Sequence, residues 1–172
     1  MFSIQKTTNA DKSKLLKLYQ VVASQTKGLA RELNEITDEF IDQISTANQD
    51  NGLSFSAFDD GENLIGEIHA FRSELRVFSH LLTNLTIAVH PNFHGKGIGK
   101  SLFEHFLIEI ETNHHHILRV ELITRESNLP AISLYKQLGF KVEGRLEQRI
   151  KLSDGNMEAD LPMVWMNKNY NR

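Results

Sequence analysis

The sequence predicts a mixed α/β fold on three grounds. Apolar residues recur at helical spacing in long segments, β-branched and alternating runs lie between them, and clusters of turn residues join neighbouring runs as hairpins. The chain has 172 residues, of which 40% are hydrophobic. That is the size and apolar content of one ordinary domain, so residues 1–172 are expected to form a single one.

Ser3 to Lys6 reads as a short first strand. Asn9, Ala10 and Asp11 supply capping residues before a helix that carries Leu15, Leu16, Leu18, Tyr19 and Val22. Gln25 to Arg31 breaks the pattern as loop or frayed helix. A second helix is expected from Asn34 to Ile44, with Ile36, Phe40, Ile41 and Ile44 on one side and Thr37 or Asn34 as its cap. Leu53 to Phe58 and Leu64 to Phe71, joined by the turn Asp59 to Asn63, form an antiparallel hairpin. Leu81 to Val89 is a central strand that stops at His90-Pro91.

A glycine-rich loop follows, and then a helix from Ser101 to Glu111, whose Leu102, Phe103, Phe106, Leu107 and Ile110 share one stripe and read as core. Arg119 to Thr124 is a short strand. Asn128 to Leu138 is a helix, with Gly139 placed for a left-handed cap, and Phe140 to Val142 reopens a strand. Glu147 to Leu152, the turn Ser153-Asp154-Gly155-Asn156 and Leu161 to Asn167 close the chain as a hairpin.

Composition removes several function classes. The 19 basic and 22 acidic side chains leave a net charge of −3, so the chain lacks the basic footprint of sequence-independent nucleic-acid binding. With no cysteine there is no disulfide, no thiolate metal site and no cysteine nucleophile. The start, Met1 to Thr8, has no apolar leader core, and no run approaches the length of a membrane span. A cytoplasmic protein with no membrane or nucleic-acid partner is expected.

The loop His94-Gly95-Lys96-Gly97-Ile98-Gly99-Lys100 carries the chemistry. A helix start offers N–H groups without intrahelical partners, and its dipole favours negative charge there. Glycines let the backbone adopt positive φ and approach a ligand, and Lys96 and Lys100 add charge at the rim. The stretch nearly spells a nucleotide-binding P-loop, since Gly99-Lys100-Ser101 supplies its last positions, but His94 stands where the first glycine belongs. The strand from Val120 to Thr124 also ends without the aspartate that such a loop needs for magnesium.

Two motifs give the loop a context. The first is Ile87-Ala88-Val89-His90-Pro91 followed by His94-Gly95-Lys96-Gly97-Ile98-Gly99. The second is Asn128-Leu129-Pro130-Ala131 with Leu134-Tyr135-Lys136-Gln137-Leu138-Gly139-Phe140. Together they resemble the GNAT superfamily of acetyl-CoA-dependent N-acetyltransferases. That family has Gln/Arg-x-x-Gly-x-Gly/Ala after an apolar-Ala-Val-x-Pro strand end, then Asn-x-x-Ala and Leu-Tyr-x-x-x-Gly-Phe. His94 departs from the first pattern; the second is complete.

The resemblance implies a mixed, mostly antiparallel central sheet of about seven strands flanked by about four helices, splayed at the acetyl-CoA site. It implies acetyl-CoA as co-substrate, with its pyrophosphate on the loop and its pantetheine arm along the backbone of Ile87, Ala88 and Val89. Amides near Ile87 would steady the oxyanion formed on attack. The resemblance also implies direct acetyl transfer to an amine, a contact from Asn128 to the coenzyme, and Tyr135 as the acid that protonates the departing thiolate. No metal is expected. The acceptor is expected to be a small-molecule or amino-acid amine; a protein N-terminus is the alternative, and a non-catalytic acetyl-CoA-binding module a third reading. A homodimer is left open.

An ammonium acceptor has to lose a proton before it attacks, and Glu67, His69, His80 and Glu121 are the candidate bases, with water as the alternative. Some relatives place a glutamate five residues before the motif asparagine, where this chain has Ile123. Acceptor specificity is expected from Leu15 to Ile44, the loop Arg72 to His80 and the last hairpin. His114-His115-His116 reads as an exposed turn, because consecutive side chains diverge and seldom converge on one ion.

Overall fold

The computed structural model describes residues 1–25, 29–49, 51–152 and 154–171. Part of the loop expected between Gln25 and Arg31, and the turn residue Ser153, lie outside the described residues. The chain divides into two compact units, Met1–Phe71 with Thr86–Glu109, and Arg72–Leu85 with Ile110–Arg172.

The first unit opens with β1 (Phe2–Lys6), α1 (Lys12–Ala23) and α2 (Asp38–Thr46), followed by β2 (Gly52–Asp59) and β3 (Leu64–Arg72, up to Phe71 here). It continues with the second half of β4 (Leu81–Val89) and most of α3 (Ile98–Asn113). β1 pairs antiparallel with β2, Phe2 opposite Asp59, and β2 antiparallel with β3, Gly52 opposite Phe71. His90 N donates to Ile65 O at 2.9 Å, which sets the end of β4 beside the start of β3.

Local chemistry explains where the helices begin. Thr8 and Asp11 cap each other ahead of α1, with Thr8 N donating to Asp11 Oδ2 at 2.9 Å. Of the two caps expected for α2, Thr37 takes the role, its hydroxyl accepting from Phe40 N at 3.3 Å. The helix therefore starts at Asp38 rather than Asn34, and Leu33–Glu35 forms a separate 3-10 turn.

Opposite faces of this unit's sheet meet different helices. On one face, Leu15, Leu18, Tyr19 and Val22 of α1 join Phe40, Ile41 and Ile44 of α2 in a buried cluster with Phe58, Leu64 and Ala88. On the other, the Phe55 ring lies 6.2 Å from that of Phe106 in α3. Gly66 lets α3 sit close: a Cβ there would come within 3.0 Å of Leu102 Cδ1 and 3.1 Å of Ile98 Cγ2. Ile98 opens the helix, so this contact seats the end of α3 that carries the glycine loop.

The second unit begins with the first half of β4. It adds β5 (Arg119–Arg125), α4 (Leu129–Gln137), β6 (Lys141–Val142), β7 (Leu146–Lys151) and β8 (Met157–Met166). β4 runs parallel to β5, with Leu81 opposite Arg119 and Leu82 opposite Val120. Just beyond these pairs Asn84 takes φ +55, a left-handed conformation that asparagine tolerates better than most residues. Within this unit β4 thus parts from β5 after two residues. β5 pairs antiparallel along β8 from Arg119–Met166 to Arg125–Asp160, and β8 also pairs with β6 and β7. β8 starts at Met157, ahead of the expected Leu161, because its first residues pair with β7. Every pairing named within the two units is antiparallel except β4 with β5, in keeping with the mostly antiparallel arrangement expected.

Gly66→Val should overpack the seat of α3 and lower stability by about 1–3 kcal/mol in urea unfolding, whereas the same change at the exposed Gly61 should cost far less. Equal losses at the two positions would refute the close-approach role of Gly66.

Candidate active site

The loop after β4 has the geometry of an anion cradle. Gly95 and Gly97 adopt φ +74 and +80, and a Cβ built on either would meet nothing within 4 Å. The side chains are absent where the backbone faces open space. The hydrogen-bond ladder of α3 begins with Ser101 N donating to Gly97 O at 3.0 Å, so the amides just before Ser101 are the partnerless ones of a helix start. The positive end of the helix dipole adds to them. Backbone of this kind fits a pyrophosphate.

The side chains of the loop are committed locally. His94 Nε2 donates to Val89 O at 2.9 Å, so the imidazole ties the loop back to the end of β4. Lys96 Nζ lies 4.7 Å over the Phe93 ring, and Lys100 Nζ lies 3.6 Å from Glu104. Both ammonium groups are thus engaged by neighbours of the loop, and the cradle itself is backbone. Ile98 is buried and anchors the helix start.

The strand leading to the loop divides its side chains by face. Ile87 Cδ1 and Val89 Cγ2 each lie 3.7 Å from the Cβ position of Gly99, so they cover the start of α3. Ala88 is buried in the α1/α2 cluster. Their side chains are packing groups, and a contribution to ligand binding from this strand falls to its backbone. Phe103, Phe106 and Leu107 are buried, as expected of core.

Two predicted site residues belong to the second unit. Asn128 caps α4, its side-chain oxygen accepting from Ala131 N at 3.4 Å. Tyr135 is 9% exposed on α4, its ring 6.0 Å from that of Phe140. Burial pushes its phenol up to about 12 from an ordinary 10.0, so the hydroxyl keeps its proton throughout the neutral range.

The candidate bases differ sharply. Glu121 is taken up in an ion pair with Arg119, which also holds Glu143. His80 is half-buried, and its backbone carbonyl accepts from Leu118 N at 2.9 Å. Ile123, five residues before Asn128, is 47% exposed. Glu67 and His69, by contrast, are buried at 0% and 2% exposure and paired with each other. Glu67 Oε1 accepts from Ser54 Oγ at 2.7 Å and Oε2 from Tyr19 OH at 2.5 Å, with His69 Nδ1 3.0 Å from Oε2. Tyr19 and Ser54 were not legible as site residues: Tyr19 reads as one apolar position of α1, and Ser54 as an ordinary strand serine.

His114, His115 and His116 form the expected turn, and His116 Nε2 lies 3.4 Å from Arg72. Among the described residues no group of three or more His, Asp or Glu side chains is arranged to hold a metal, and no helix is long and apolar enough to cross a membrane.

The family described as "Acetyltransferase (GNAT) family" matches residues 16–140. A [Ribosomal protein bS18]-alanine N-acetyltransferase of Salmonella typhimurium is 43% identical over 58 residues, which are 34% of this chain and 38% of that protein. The chain spans 17% to 51% of the length of the curated relatives it matches. The phosphinothricin acetyltransferase of Sinorhizobium meliloti, solved with AcCoA, superposes with a TM-score of 0.85 at 18% identity, covering 99% of this chain and 90% of its own. A GNAT-family acetyltransferase of Streptococcus pneumoniae gives a TM-score of 0.84 at 20% identity over 96% of this chain and 99% of its own. At these identities the two structures show a common fold.

The raised phenol of Tyr135 has a consequence for stability. A folded pKa above the unfolded one contributes stability that is fully present below pH 10 and drains away as the pH rises towards 12. By pH 11 the loss should be about 1 kcal/mol. Urea unfolding at about pH 9 and pH 11 should show wild type losing that much more than Tyr135→Phe; identical losses would contradict the burial of the hydroxyl.

Proposed function

This chain belongs to the GNAT family of acetyltransferases, and from that premise we propose that residues 1–172 act as one N-acetyltransferase, moving an acetyl group from acetyl-CoA directly to a small-molecule or amino-acid amine. The observation that carries this reading is the cradle: glycines at positive φ facing open space at the first turn of α3. Bound acetyl-CoA supplies an activated thioester; everything else falls to the chain. The amides around Gly95 to Lys100 hold the pyrophosphate, and the backbone of Ile87 to Val89 is the edge along which the pantetheine arm lies. Asn128 contacts the coenzyme. Tyr135, protonated at neutral pH, gives its proton to the departing thiolate and recovers one from solvent.

A protein N-terminus is the second reading of the acceptor. It is favoured by the bS18-alanine N-acetyltransferase likeness, which covers about a third of the chain. A thiol-release assay with acetyl-CoA across free amino acids, polyamines, aminoglycosides and peptides separates the two. Turnover of a free amine supports the proposal, and turnover confined to peptides starting with alanine supports the second reading. No turnover with any amine, despite acetyl-CoA binding, would favour a binding module.

Two variants test the assignments. Gly95→Ala with Gly97→Ala should weaken acetyl-CoA binding at least about tenfold by calorimetry, because the new methyl groups fill the cradle and strain its backbone. Unchanged affinity would displace the pyrophosphate from this loop. Tyr135→Phe should lower kcat roughly 100-fold with little change in acetyl-CoA affinity, and an unchanged kcat under chemistry-limited conditions would remove the acid role.

A further inference from the structure

Glu67 and His69 sit two apart on β3, so both side chains leave the same face of the sheet, the face covered by α1 and α2. The Glu67 carboxylate is fully buried and has to be satisfied by donors. It accepts from the hydroxyls of Ser54 on β2 and Tyr19 on α1. Burial beside this carboxylate holds the Tyr19 phenol well above its ordinary range, so Tyr19 remains a donor.

The same carboxylate settles which ring nitrogen of His69 carries the proton. His69 Nδ1 lies 3.0 Å from Glu67 Oε2 and 3.2 Å from Tyr19 OH. A bare Nδ1 would set its lone pair against those of the carboxylate, whereas Nδ1–H donates to it. The neutral imidazole therefore has its lone pair on Nε2. Among the described residues Nε2 has no hydrogen-bond partner, yet no buried side-chain nitrogen or oxygen is left without one. Nε2 is thus open to solvent on an otherwise buried ring.

Two aromatic rings pack beside the imidazole, Phe71 at 5.1 Å and Phe40 at 6.2 Å between ring centroids. Among the described residues the titratable groups in contact with His69 are Glu67 from β3 and Tyr19 from α1, and the charged Arg31 lies 4.1 Å over the neighbouring Phe40 ring; α2 presents Phe40 and β2 presents Ser54. Ala88, on the strand assigned to the pantetheine arm, belongs to the same buried cluster as Tyr19 and Phe40.

We propose that His69 Nε2 takes the proton from the ammonium form of the acceptor, with Glu67 and Tyr19 as positioning residues that hold the imidazole in the required tautomer; this rests on the acetyltransferase reading above. The ammonium N–H bond breaks and its proton moves to Nε2. The freed lone pair then forms the C–N bond to the acetyl carbonyl carbon as the C–S bond breaks. The second amine proton passes to solvent, the sulfur leaves as the thiol with the proton that Tyr135 gives it, and the proton on Nε2 also passes to solvent.

The test uses the full chain, acetyl-CoA and an amine that the thiol-release panel accepts. His69→Gln should lower kcat about 100-fold at neutral pH while leaving acetyl-CoA affinity unchanged. Its rate should then climb with pH as the amine's own free base accumulates, in place of the wild-type plateau. Glu67→Gln should move the acid limb of the profile, and Tyr19→Phe should lower kcat less than His69→Gln. A measurement that needs no variant is the nitrogen NMR of the His69 ring, expected to show Nδ1–H and a bare Nε2. Turnover with a profile indifferent to His69→Gln, or an Nε2–H tautomer, overturns this inference alone. Failure of the wild-type chain to bind acetyl-CoA overturns the acetyltransferase reading and this inference with it.

Discussion

The need to satisfy one buried carboxylate organises the first unit. Glu67 lies at 0% exposure, and its oxygens draw donors from three elements: Ser54 from β2, Tyr19 from α1 and His69 from its own strand. Removing any one donor leaves a buried acceptor short of partners, which costs more than the bond itself contributes. The polar network therefore fixes how α1 lies on the sheet, a task that the surrounding Leu15, Leu18 and Val22 could perform with less specificity. The same constraint that orders the helix also sets the proton on His69.

On the opposite face the determinant is the absence of a side chain. Gly66 admits Leu102 and Ile98 to the sheet, and Ile98 is the residue at which α3 starts. The glycine loop is thereby held at one end by packing and at the other by His94, whose imidazole binds Val89 O. The family pattern to which the first motif is similar has Gln or Arg at the position of His94. Here the side chain serves the loop's own backbone, which makes the cradle a matter of main-chain geometry. In the second unit Asn84 takes a positive φ just beyond the two residues at which β4 pairs with β5.

The strands were legible because their signals are local. Leu81 to Val89 matches β4 residue for residue, and the hairpin of β2 and β3 follows from the Asp59 to Asn63 turn. The glycine loop, Asn128 and Tyr135 were legible through motifs. What could not be read depended on partners far away in sequence. The choice between Thr37 and Asn34 as cap shifted α2 by a turn, and the first residues of β8 are strand because β7 lies beside them. The Tyr19–Glu67–Ser54 contacts depend on the register that sets Ser54 opposite His69 and on the docking of α1. Each residue alone has an ordinary explanation as helix core or strand polar residue.

The proposed acetyl transfer requires the pyrophosphate of acetyl-CoA to lie on the main chain at the start of α3. Titration of the isotope-labelled chain with acetyl-CoA, followed by amide NMR, reads that site directly. Saturable shifts are expected, concentrated at the amides of Gly95 to Ser101 and along Ile87 to Val89. Saturable binding that leaves those amides unmoved would contradict it.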